Sequence, residues 1–134
     1  MTHDTKLQVI QETNQQSLAG KMPFPQVVAK LSAIGVESYR VDLLRKEKIV
    51  YMPNGETFGD ALPIERIPIA AKLSFKEIQL ALKRIQAGDT TYIEFLKEIM
   101  QAGTTSYSVY LTGKKVIYFG RNGDMHVEGF PNQQ

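Results

Sequence analysis

Ser38-Tyr39-Arg40-Val41-Asp42-Leu43 comes back 68 residues later as Ser106-Tyr107-Ser108-Val109-Tyr110-Leu111. What is kept is Tyr-x-Val-x-Leu, the every-other-residue pattern of a strand with one buried side. Outward from it, at the same offset, Gly35 falls on Gly103, Ala19-Gly20 on Ala87-Gly88 and Lys46 on Lys114. Ile49 falls on Ile117 and Asn54-Gly55 on Asn122-Gly123, while Phe24 exchanges with Tyr92, Leu31 with Ile99 and Tyr51 with Phe119. Agreement at fixed spacing marks one supersecondary unit present twice. The expectation is a single domain over 1–134, with repeats at 5–60 and 73–128 joined by a packed linker, 61–72.

Each repeat reads as two helices and then strands. Lys6 to Ala19 is a weakly amphipathic helix closed by Gly20. Its counterpart, Ser74 to Ala87, carries Phe75, Ile78, Leu82 and Ile85 at helical spacing, widened by Leu80 and Ala81. Ser74-Phe75-Lys76-Glu77 and Thr91-Tyr92-Ile93-Glu94 have capping-box spacing. The second helices present Phe24, Val27, Val28 and Leu31, and Phe95, Leu96 and Ile99, and stop at Gly35 and Gly103. After the strand quoted first, Arg45-Lys46-Glu47-Lys48 is expected to be a solvated turn, with return strands through Ile49 to Tyr51 and Val116 to Phe119. Asn-Gly suits tight hairpin turns, so a third strand should follow each, at Thr57-Phe58 and Met125 to Phe130. Pro63 and Pro68 forbid regular structure in the linker, although Ile64, Ile67 and Ile69 look buried, and the tail 131–134 should fray. Short connections require antiparallel pairing. The fold class is therefore α+β, with two tandem structural repeats, each two helices followed by an antiparallel β-hairpin or meander. Whether the strands form one sheet or two is not readable.

The 134 residues are 43% hydrophobic and 22% charged, ordinary for a globular domain. With no cysteine, disulfides, thiolate metal sites and cysteine nucleophiles are excluded. A net charge of +2, spread along the helices, argues against nucleic acid as a partner. Neither a signal-like start nor a membrane-spanning stretch is present, so a cytoplasmic protein without a membrane partner is expected.

Candidate site residues are few. His126 and Glu128 share one side of a strand; a His beside a carboxylate can act as a general base or hold a metal, although two ligands make a poor site, or the two can stand as a structural or exposed pair. Tyr39 and Tyr107 occupy the same register as Val41 and Val109, as core aromatics or as phenols lining a seam. Tyr110, Tyr118 and Arg121 replace Asp42, Val50 and Pro53 of the first repeat. Two tyrosines on the face opposite Tyr107 would suit an interface. The ligand-binding set is thus Tyr107, Tyr110, Tyr118, His126 and Glu128, with no catalytic residue, metal ligand set or cofactor assigned. Gly120-Arg121-Asn122-Gly123 lies between strands rather than before a helix, unlike a phosphate loop.

Tyr39-x-Val41-Asp42-Leu43 with Tyr51-x-Pro53-Asn54-Gly55-Glu56 resembles one half of the YbcV-like family. Thr91-Tyr92-x-Glu94-Phe95, Met100-x-Ala102-Gly103, Tyr107-x-Val109-Tyr110, Tyr118-Phe119-Gly120-Arg121 and Val127-Glu128-x-Phe130-Pro131 resemble the other. These are small bacterial proteins of unknown function, some automatically named phage envelope proteins. The resemblance implies an α+β domain and no established activity. The functional expectation is a non-enzymatic binding or interaction module, homodimeric and prophage-related. The alternative is a small enzyme or ligand-binding protein with a pocket at the repeat interface, using His126 and Glu128.

Overall fold

The structure, a computed structural model, describes residues 1–131, so most of the expected frayed tail, 132–134, lies outside the described residues. Helices α1 (His3–Leu18) and α2 (Phe24–Ala33) precede strands β1 (Ser38–Asp42), β2 (Glu47–Tyr51) and β3 (Thr57–Ala61). Then α3 (Phe75–Gln86), α4 (Tyr92–Gln101), β4 (Thr104–Tyr110), β5 (Lys115–Gly120) and β6 (Met125–Gly129) repeat that order. Both ends of α4 lie 68 residues after those of α2, and β6 lies 68 after β3.

The strands form one antiparallel sheet, ordered β3-β2-β1-β4-β5-β6. Its central seam has a two-fold register: Tyr39 faces Val109, Val41 faces Tyr107, and Arg40 faces its own counterpart Ser108. The pseudo-axis therefore passes between Arg40 and Ser108. Hydrogen bonds beyond the strands obey it too, Leu43 N to Thr105 O (2.9 Å) mirroring Leu111 N to Glu37 O (3.1 Å). Lys46 and Lys114, at matching turns, share a left-handed backbone with φ of 57° and 55°.

Strand alternation sends Tyr39, Val41, Val50, Phe58, Tyr107, Val109, Val116 and Tyr118 toward the helices. There they meet Ile10, Leu31, Ile78, Leu96, Ile99 and Met100, so residues from both halves join one buried cluster. The expected capping hydroxyls are in place: Ser74 Oγ accepts from Glu77 N, and Thr91 Oγ1 accepts from Glu94 N, each at 3.2 Å. Ser74→Ala or Thr91→Ala is expected to lower the unfolding free energy by about 1 kcal/mol. Urea midpoints at unchanged slope would show it; no shift would mean that water replaces the cap.

Four expectations are corrected. α1 starts at His3 rather than Lys6, because the Thr2 hydroxyl accepts from Thr5 N and caps it. His3 is consequently held, its ring stacked on Phe58 and its Nδ1 2.8 Å from Glu56. β3 runs to Ala61, so the connection starts at Leu62. The turn spans 43–46, and β2 begins at Glu47, which carries Lys48 into the core.

Candidate functional site

All four helices cover one face of the sheet, and polar groups lie on both sides of it. Beneath the helices, β6 brings His126 and Glu128 against α3. His126 Nε2 lies 3.0 Å from Glu128 Oε1 and 3.1 Å from Gln79 Nε2, and the Gln79 amide donates to Glu128. Phe75 and Tyr118 flank the imidazole, with ring centroids 5.2 and 6.3 Å away. The contacts of the carboxylate through Oε1 tie β6 to α3, and Glu128 remains half-buried.

The matching position in the first repeat holds a different trio. Lys48 on β2 stands directly across from Asp60 on β3, and Asn14 of α1 donates to Asp60 at 2.9 Å. The Lys48 ammonium lies over the Tyr39 ring, 4.2 Å from its centroid. Burial brings the Lys48 pKa down to about 8, opposed by the Asp60 carboxylate. A cleft of only about 10 Å³ opens beside Lys48, Asn14, Ser17 and Tyr92, enough for roughly one water. Sequence reading took Lys48 for turn; its signal was the spacing to Val50, which puts a lysine on an apolar side.

Between the trios lie four phenols, Tyr39, Tyr107 and Tyr118 buried and Tyr92 half-buried. Tyr92 and Tyr107 hydroxyls are hydrogen-bonded to each other, and Tyr118 pairs across from Tyr107. Burial raises all four: Tyr92 reaches about 12, lowered somewhat by its bond to Tyr107, while Tyr39, Tyr107 and Tyr118 also shift upward. They are neutral, close-packed donors.

Among the described residues, the opposite face carries no helix. Its rows read Thr57-Tyr51-Ser38-Tyr110-Lys115-Gly129, Gly59-Ile49-Arg40-Ser108-Ile117-Val127 and Ala61-Glu47-Asp42-Ser106-Phe119-Met125 from edge to edge. Small serines fill the middle between aliphatic and aromatic ridges. The Arg40 guanidinium reaches diagonally to lie 5.8 Å from the Phe119 centroid. The buried Ser106 hydroxyl on this face has no hydrogen-bond partner among the described residues. Met125 and Val127 are 56% and 54% exposed.

Of the sequence-derived set, Tyr107, Tyr118, His126 and Glu128 therefore share the helix-covered side and Tyr110 stands alone on the other. The expectation that both Tyr110 and Tyr118 oppose Tyr107 is corrected: Tyr118 is in register with Tyr107 and buried. Arg121 leaves the sheet altogether and donates to Ile69 O in the linker at 3.2 Å. Among the described residues, no three His, Cys, Asp or Glu side chains stand together as a metal site, and no helix is long and apolar enough to cross a membrane.

A second cleft, about 260 Å³, lies at the C-terminal end of α2, lined by Ser32, Gly35, Val36, Glu37, Pro53, Leu111 and Thr112. Neither cleft touches His126 or Glu128. In comparison with known proteins, a family model described as "Protein of unknown function (DUF1398)" matches residues 22–128, from the start of α2 almost to the end of β6. No curated protein matches the chain.

Proposed function

We propose that this chain, which belongs to the DUF1398 family of proteins of unknown function, is a non-enzymatic cytoplasmic interaction module that pairs with a second copy of itself through the uncovered sheet face. The observation that carries this reading is a six-stranded face bearing Ile49, Tyr51, Tyr110, Ile117, Phe119, Met125 and Val127 with no helix over it. Six strands about 4.8 Å apart and five residues long make a face of roughly 500 Å². That is the low end of what a specific interface buries per partner.

Charge favours a copy over an unrelated partner. Glu47 and Lys115 are equivalent positions of the two repeats, both on this face and opposite in sign. A second copy seated with its first repeat over the other's second repeat sets each glutamate against a lysine. Edge-to-edge association is opposed, because Asp60 on β3 and Glu128 on β6 point inward from the edge strands. The alternative, a pocket worked by His126 and Glu128, has the His–Glu contact, but neither of the two clefts described above is lined by the pair. The YbcV-like naming adds a prophage origin to the proposal, which flanking capsid or tail genes would support.

Sedimentation between about 1 and 200 μM should show a reversible dimer with a dissociation constant in the tens of micromolar. Ile117→Asp and Val127→Lys each place a charge on the apolar ridge and are expected to weaken it at least tenfold with folding retained. A wild-type monomer throughout that range overturns the proposal.

A further inference from the structure

The two halves of the fold build the same groove, and only one is filled. In the second repeat, the groove between the end of α4 and the β5–β6 turn holds the end of the linker, which bends at Ala71 and Lys72. Ser74 N donates to Ala102 O at 2.7 Å, Arg121 to Ile69 O at 3.2 Å and Asn122 Nδ2 to Ala71 O at 3.4 Å. The backbone lies so close that a Cβ on Gly103 would sit 2.3 Å from Lys72 O.

The first-repeat groove is the 260 Å³ cleft, whose Gly35 and Pro53 are the counterparts of Gly103 and Arg121. The residues that would fill it by symmetry, Met1 to Asp4, are drawn instead into the cap and first turn of α1. Three differences set what it can hold. Ile34 O, the counterpart of Ala102 O, takes no backbone donor among the described residues. Met52 replaces Gly120, and its Cε reaches within 3.8 Å of a Cβ built on Gly35, taking the space that Leu73 uses in the filled groove. Glu37 is exposed on the wall and forms no ion pair among the described residues, and no basic residue lines the cleft.

We infer that the groove at the end of α2 is a docking site for a short peptide segment of a partner protein, bearing a lysine or arginine. One backbone N–H of that peptide donates to Ile34 O, as Ser74 donates to Ala102 in the filled groove, and its cation pairs with Glu37. A helix C-terminus whose carbonyl takes no donor from the described residues favours both the donor and the positive charge. The apolar anchor is already supplied by Met52, so recognition is polar and specificity comes from charge.

The probe is a fluorescein-labelled peptide with the sequence of residues 69–74 but glycine in place of its leucine, whose space Met52 takes, read by anisotropy beside the same peptide with glutamate in place of its lysine. Saturable binding of the lysine peptide is expected, weakened at least tenfold by Glu37→Lys, and the glutamate peptide should recover binding to that variant. Thr112→Trp, which obstructs the rim from an exposed position, should weaken the lysine peptide comparably. Thermal unfolding confirms that both variants remain folded. Equal binding of the two peptides, or less than a tenfold effect of Glu37→Lys, overturns the assignment. Repeating the titration on Ile117→Asp separates it from the sheet-face proposal, since the groove lies off that face and binding should be unchanged.

Discussion

Gly103→Ala should cost several times more stability than Gly35→Ala, although the two glycines end equivalent helices. Both have a left-handed backbone, φ +100° and +85°, in which an alanine is strained by roughly 1–2 kcal/mol. At Gly35 that is nearly the whole cost, because a Cβ there meets only Met52 Cε, at an ordinary 3.8 Å. At Gly103 the Cβ would lie 2.3 Å from Lys72 O and 2.9 Å from Leu73 Cα, which are backbone atoms that no rotamer can move aside. The linker must lift, and the bonds from Ser74 N, Arg121 and Asn122 go with it, each worth about 1 kcal/mol. The expected loss is about 4–5 kcal/mol for Gly103→Ala against about 1–2 for Gly35→Ala. Urea unfolding of both variants measures it. Limited proteolysis should find new cuts between residues 62 and 74 only in Gly103→Ala. Equal losses would mean that the linker is not seated against α4.

The same pair of glycines shows what a sequence can and cannot disclose. Their recurrence at a fixed offset, with Tyr-x-Val-x-Leu and Asn-Gly at that offset, was enough for the element order and the antiparallel pairing, because those depend on local periodicity and turn chemistry. The asymmetry between them was not legible. It arises from where the linker lies, a tertiary fact with no local signature. For the same reason the single sheet stayed open at the sequence level: β1 and β4 meet through residues far apart in the chain, and nothing near Arg40 or Ser108 announces their pairing. α1 began a turn early because a lone Thr2 caps it, without the glutamate that would complete a capping box.

The candidate site was legible in part. His126 and Glu128 were found because period two places them together, and their contact is present. What period two could not supply was the third dimension: Gln79 and Phe75 arrive from α3 and contact that pair. Tyr118 faces the helices, as does Val50, its counterpart in the first repeat, because it pairs directly across from Tyr107. The uncovered face was within reach, since Ile49, Tyr51, Ile117 and Phe119 alternate with buried residues on both central hairpins. Which face the helices choose is decided by packing, and the sequence alternation is apolar on either side.

Lys48 makes the stability of the fold depend on alkaline pH in a way that one substitution should abolish. Its pKa falls from 10.5 in the unfolded chain to about 8 in the folded one, burial outweighing the Asp60 carboxylate. Below pH 8 both states carry the charge, and the folded state bears the full cost of burying it. Between pH 8 and 10.5 the folded protein has released a proton that the unfolded chain keeps, so stability rises with pH, by up to about 3 kcal/mol. The four tyrosines act in the opposite direction. Their phenols ionise near pH 10 when unfolded but stay protonated in the core, so above pH 10 the unfolded chain gains and stability falls. Stability should therefore climb from pH 8, peak close to pH 10 and then drop steeply. Lys48→Met, which preserves the aliphatic stem over Tyr39, should lose the climb and keep the drop. Relative to wild type it gains most at pH 7 and least near pH 10, once the lysine has shed its charge. Urea unfolding of both proteins at pH 7, 8, 9, 10 and 11 reads this directly. Parallel profiles for wild type and Lys48→Met would show that the Lys48 ammonium stays hydrated in the folded protein, and that the narrow opening beside Asn14 and Tyr92 admits enough water to solvate it.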